Sequence, residues 1–170
     1  MLTLAEADEL IDRHLGKGFR ADHSRLVATL LRKLASRLSA DLELWELTGL
    51  CHDLDHEVTR ASPEQHGLVA ARWLTNRLPA DALVAIQSHD HRSGVISDAP
   101  LSRALKLADA LAILVASGEP AAVAGALTVD DPGPALLARD PSRPWLVTMI
   151  LDNAAALGVA SADLAAMLET

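Results

Sequence analysis

The sequence is poor in aromatic residues, in cysteine and in positive charge. It holds one Phe, three Trp and no Tyr, 2% of the chain, while Ala and Leu together exceed a third of it. That balance disfavours sheet and favours helix. The single cysteine, Cys51, excludes an internal disulfide framework and suits a reducing compartment; it reads as small core filler. Fifteen Lys and Arg face 23 Asp and Glu, a net charge of -8. A chain whose task is to grip a nucleic-acid polymer needs a basic face for counterion release, so that class is excluded. A local pocket for one small anion is not. No apolar run approaches the roughly 18 residues of a membrane span. The N-terminal stretch MLTLAEADELIDRH is acidic and amphipathic, unlike a signal peptide. These absences predict a cytoplasmic all-α protein with no membrane partner.

What is present agrees. The chain has 170 residues, half of them hydrophobic and 22% charged, which suits one folded domain and excludes disorder. Thr3 and Glu6 form a capping-box pattern that opens a helix to about Arg13, and Gly16-Lys17-Gly18 breaks it. Leu26, Leu30, Leu34 and Leu38 mark one face of a second helix, from about Asp22 to Ser39. A third runs from about Leu42 to Leu54. Ser62-Pro63-Glu64-Gln65 signals a fourth, to about Arg77, and Pro79 a fifth, to about His89. A strongly apolar helix follows from Pro100 to about Ala116. Five prolines then fall between Ser117 and Trp145, and two helical segments, about Trp145 to Leu157 and Ser161 to Leu168, close the chain. The expectation is a single-domain bundle of about six to eight helices.

Several of the seven histidines stand where an amphipathic helix should be apolar. His23 shares a face with Val27, Leu30 and Leu34, and His52 a face with Trp45, Thr48 and Gly49. His66 precedes Val69, Ala70 and Trp73, and His89 follows Ala82, Ala85 and Ile86 in helical register. Asp109 lies within LKLADALAIL, and Asp53 directly follows His52. Each histidine taken alone is an ordinary hydrogen-bonded core residue, and Asp109 alone is the buried partner of an Arg. As a set they point to metal, because a buried charge must be paired or bound to a cation. Imidazole with carboxylate is the ligand set of Mn, Fe, Ni or Zn.

The order His23, His52-Asp53, His66, His89, Asp109 resembles the HD superfamily of metal-dependent phosphohydrolases. Gly49-Leu50-Cys51-His52-Asp53-Leu54-Asp55 looks like its signature, with Pro63-Glu64-Gln65-His66-Gly67, Ala85-Ile86-Gln87-Ser88-His89 and Leu107-Ala108-Asp109-Ala110-Leu111 as later motifs. The likeness, to the small stand-alone bacterial hydrolases of that superfamily, covers about residues 20 to 116 and leaves 117–170 as a helical extension. It implies an HD-type helical domain in which His23, His52, Asp53 and Asp109 bind a first ion. It adds His66 and His89 as ligands of a second, with Asp53 bridging the two. A one-metal site using the first four stays open. His91 competes with His89, and helix register favours His89.

The resemblance implies hydrolysis of a small phosphate ester, such as a nucleotide or other phosphorylated metabolite, by attack of metal-activated hydroxide on phosphorus. Asp53, Asp55 and His56 are then the catalytic candidates. Arg20, His91, Arg92 and Lys106 are the candidates for substrate contact. Asp55 and His56 stand where many members carry Gly and Lys, so the usual phosphate-binding cation is replaced. Two alternatives accompany this reading, a di-iron oxygenase on the same ligands and a non-catalytic nucleotide- or partner-binding module.

Overall fold

The computed structural model describes residues 1–169, and among them every regular element is a helix. The chain divides into two compact units, the first comprising Met1–Leu105 and the second starting at Lys106. The first contains α1 (Leu4–His14), α2 (Phe19–Arg37), α3 (Leu42–Cys51), α4 (Leu68–Trp73) and α5 (Ala80–Ser88), with 3₁₀ turns at Pro63–Gln65 and His91–Ser93. Helix α6 (Pro100–Ala116) begins in the first unit and runs into the second. The second holds α7 (Pro120–Leu127), α8 (Pro132–Leu137), α9 (Trp145–Leu157) and α10 (Ser161–Leu168). Eight helices are longer than a turn or two; α4 and α8, of six residues each, bring the described total to ten.

In the first unit, α1 starts on the expected capping box. Thr3 Oγ1 accepts from the Glu6 N–H at 3.3 Å and Glu6 Oε2 accepts from the Thr3 N–H at 2.8 Å. Arg25 of α2 ties α1 down through Asp8 and Asp12, both at 3.0 Å. The buried stripe of α2 runs His23, Val27, Leu30, Leu34, so the first histidine lies on the core face; Leu26 and Leu38 are only half-buried. Helix α3 packs against this stripe at Gly49, where an added Cβ would lie 2.5 Å from Ala28 Cα. No side chain fits between the backbones there. Cys51 is fully buried, as expected of core filler.

The fourth helix departs from expectation. Instead of one helix from Ser62 to Arg77, a 3₁₀ turn ends at Gln65, His66 is extended, and α4 begins only at Leu68. Ser62 makes no side-chain cap bond. The break sits at Gly67, whose φ of +76° is left-handed and ends helical continuity. Helix α3 also ends early, at Cys51 rather than Leu54. Both interruptions place histidines at chain breaks.

In the second unit the proline-rich stretch is not a bare connection. Pro120 and Pro132 each occupy the start of a helix, where a missing N–H costs nothing. Helix α7 packs on α8 and α10, and α8 on α9. Val123, Leu127, Leu136, Leu146, Ile150 and Leu164 are buried there. Among the described residues no single helix is long and apolar enough to cross a membrane.

Candidate metal centre

Helices α3 and α5 end alike. Their C-caps are His52 and His89, and each ring donates Nδ1–H to the carbonyl three residues back. The distance is 2.7 Å both to Gly49 O and to Ile86 O. The last carbonyls of a helix lack donors within it, so each imidazole satisfies one. A carbonyl only accepts, which puts the proton on Nδ1 and leaves an Nε2 lone pair for the site. Both rings also stand at the negative ends of helix dipoles, where a cation is favoured.

His66 arrives from the break before α4. Its Nδ1 lies 2.8 Å from Asp55 Oδ1 and its Nε2 3.2 Å from His89 Nε2. Asp53 is the focus: its Oδ1 is 3.0 Å from His66 Nε2, 3.6 Å from His52 Nε2 and 3.7 Å from His89 Nε2. His23 brings its ring to 5.5 Å from that of His52. All of these side chains are buried.

These atoms fit a metal ion. One donor atom each from His52, Asp53 and His89 lies within 4.8 Å of the others. Ligands held about 2.1 Å from a common ion are separated by roughly 3.0–3.4 Å, and the spacings around Asp53 Oδ1 are close to that. Electrostatics agree with a site built for positive charge. Burial opposes the Asp53 charge, but the facing imidazoles of His52, His66 and His89 outweigh it and hold the carboxyl well below the usual carboxylate range. Burial pulls the His66 imidazole down, yet its bonds to Asp53 and Asp55 win and raise it to about 10. A proton on His66 thus plays the cation's part when no ion is bound, and an incoming metal would displace it.

The stretch of sequence that carries these residues is also the part that a family model describes. The HD domain model matches residues 20–114, more than half of the chain. The chain belongs to the HD domain family. No curated protein and no solved structure matches it. Every site residue named from the sequence falls inside the HD domain's matched span.

The remaining candidates of the HD domain occupy different places. Asp55 is fully buried behind His66, its second oxygen accepting the Ala70 N–H at 2.9 Å. Both oxygens therefore face protein donors rather than an open substrate position. His56 is half-buried, with its ring 5.8 Å from that of His66 and its Nδ1 3.3 Å from Glu57. Burial, and next the Arg20 charge, lower its pKa. Arg20 reaches Asp53 Oδ2 at 3.5 Å and lies over the exposed Phe19 ring. His91 is turned outward, its side chain 89% exposed, whereas His89 is buried. Arg92 is bound to Asp90 through several short contacts. Asp109 is half-buried on α6, and Lys106 opens the second unit on the same helix.

Three contributors escape a reading by residue type: the carbonyls of Gly49 and Ile86, and Gly67. Their signal is positional. A histidine just past the last apolar turn of a helix has an orphan carbonyl three residues back within reach.

Proposed function

We propose that this HD-domain protein is a metal-dependent phosphohydrolase acting on a small phosphate ester, a nucleotide or another phosphorylated metabolite. The observation that carries the reading is the convergence of three imidazole Nε2 atoms on one buried carboxylate oxygen, Asp53 Oδ1. Following the family's order of motifs, His23, His52, Asp53 and Asp109 would hold one divalent ion, and His66 and His89, with Asp53, would hold a second. Manganese, iron, nickel and zinc all suit this ligand set. When bound, such ions supply an activated water nucleophile and neutralise charge on the phosphoryl oxygens.

The protein's own part is to orient and to bind. The Nδ1 bonds of His52 and His89 fix two rings before any ligand arrives, which reduces the reorganisation that binding requires. Arg20 is the substrate cation best supported by geometry. Its guanidinium stands beside Asp53 and is 39% exposed, so it can turn from the carboxylate to a phosphate once a metal neutralises Asp53. His56, near His66 and half-buried, is the candidate to exchange a proton with the leaving oxygen. A net charge of -8 favours a small substrate over a polyanion.

The test is elemental analysis of protein purified without chelator, beside a His52→Ala/Asp53→Ala variant. A screen for phosphate release from monoesters, diesters and nucleotides follows. Metal in the wild type, absence in the variant and metal-dependent phosphate release support the reading. Two irons with oxygen uptake and no phosphate release overturn it in favour of an oxygenase. Absence of metal after reloading leaves a binding module.

A further inference from the structure

Three imidazoles converge on Asp53 Oδ1, but they are not held in the same way. His52 and His89 are each fixed by a neutral carbonyl at the end of their own helix. His66 has no such carbonyl to use. It is the extended residue that closes a 3₁₀ turn, and the carbonyl three residues behind it, Pro63 O, accepts the His66 backbone N–H. The chain supplies a carboxylate instead. Asp55 Oδ1 is 2.8 Å from His66 Nδ1, and the Asp55 side chain has no exposure at all.

A buried carboxylate needs donors to offset its desolvation. Asp55 has the His66 Nδ1–H on one oxygen and the Ala70 N–H, in the first turn of α4, on the other. Thr59 Oγ1 donates to the Asp55 carbonyl at 2.8 Å and so holds the turn that presents the carboxylate. With both oxygens engaged, Asp55 has one outlet toward the site, and that outlet is the His66 ring. An acceptor on Nδ1 keeps the proton there and turns the Nε2 lone pair to the metal side. A charged acceptor also makes Nε2 a stronger donor than a carbonyl does.

We infer that Asp55 is a positioning residue, which holds His66 in its Nδ1–H tautomer and thereby sets the affinity of the metal ion that uses His66. This rests on the metal-site reading above. Asp55 acts through His66 and does not touch substrate.

The experiment is zinc titration of wild type, Asp55→Asn, His66→Ala and the double variant, followed by calorimetry and by ¹⁵N spectra of the histidine rings. Asn keeps the size but has a single acceptor oxygen for two donors. The expected result is that D55N weakens one class of zinc site by roughly ten- to a hundred-fold and leaves the other unchanged. In the His66→Ala background the same substitution should change nothing. A D55N protein with wild-type zinc affinities overturns the inference, as does equal weakening of both classes. So does a further loss in the His66→Ala background. Should D55N fail to fold, the zinc-loaded wild type still decides, because a His66 ring protonated on Nε2 overturns the proposal. Wild type that takes up no zinc is a separate failure: it removes the metal reading and this inference with it, and is told apart from the others because there zinc binds the wild type.

Discussion

Gly67 and Ile86 meet so closely that a Cβ on Gly67 would stand 2.4 Å from the Ile86 carbonyl oxygen. That oxygen is the acceptor for His89 Nδ1. One missing side chain thus serves two ligands: it lets the chain turn after His66, and it leaves the acceptor of His89 undisturbed. Gly67→Ala adds left-handed strain, about 1–2 kcal/mol, to a clash with backbone that cannot rotate away. The expected result is a destabilisation above about 2 kcal/mol with loss of metal uptake. Denaturant unfolding and elemental analysis read both, and a variant with wild-type metal content would show that the Ile86 carbonyl can shift freely.

Gly49 makes the corresponding contact between α2 and α3. Helix propensity alone favours Ala there by about 1 kcal/mol. The Cβ, however, would meet Ala28 Cα at 2.5 Å and Ala28 N at 2.7 Å, and overpacking of this kind costs about 1–3 kcal/mol or more. Gly49→Ala should therefore lower the unfolding midpoint, and the separation of α3 from α2 should move His52 away from His23. A midpoint at or above wild type would mean the helices separate without cost.

Metal and stability should be linked. An ion that binds only the folded protein at a hundred times its dissociation constant adds about 2.7 kcal/mol. Thermal unfolding should shift upward with manganese or zinc, return on adding chelator, and fail to respond in His52→Ala. An unchanged melting temperature at saturating metal contradicts the site.

Cys51 should be inert while the protein is folded. Burial pushes its thiol up to about 12, so at pH 8 only about one molecule in ten thousand carries the thiolate. The side chain is also fully buried. Labelling by a thiol reagent should proceed only as fast as the first unit opens and become rapid in denaturant. Stoichiometric labelling within seconds under native conditions would contradict this packing.

The capping box of α1 predicts a pH dependence. Bonds from the backbone and side chain of Thr3 lower the Glu6 carboxyl below its ordinary 4.5. The unfolded chain binds the proton more readily, so the contribution is complete above pH 4.5 and disappears as pH falls through the lowered folded value. Glu6→Gln should be less stable than wild type at pH 7, and the two should converge on acidification. Parallel curves down to pH 3 would remove Glu6 from the account.

The helical class was legible because Ala and Leu dominate while aromatics are nearly absent. The four histidines and Asp53 were legible because each breaks an otherwise apolar register, a local conflict that needs no coordinates to detect. The interruption of the fourth helix was not legible. Ser62-Pro63-Glu64-Gln65 looks like a helix start, and only contact with Ile86 explains why Gly67 turns left-handed two residues later. Helices α7 and α8 were hidden by prolines that sit at first positions, where they begin helices instead of breaking them.

The sequence by itself determined that this chain is helical and that its imidazoles and carboxylates are clustered by family order, since composition and periodicity are properties of neighbours in sequence. Only the tertiary structure decided how each ligand is held. Which atom accepts the Nδ1 proton depends on groups from another turn or another element: a carbonyl at a helix end for His52 and His89, and the carboxylate of Asp55, eleven residues away, for His66. Hydrogen bonds need distance and direction, and those are fixed only when the helices pack.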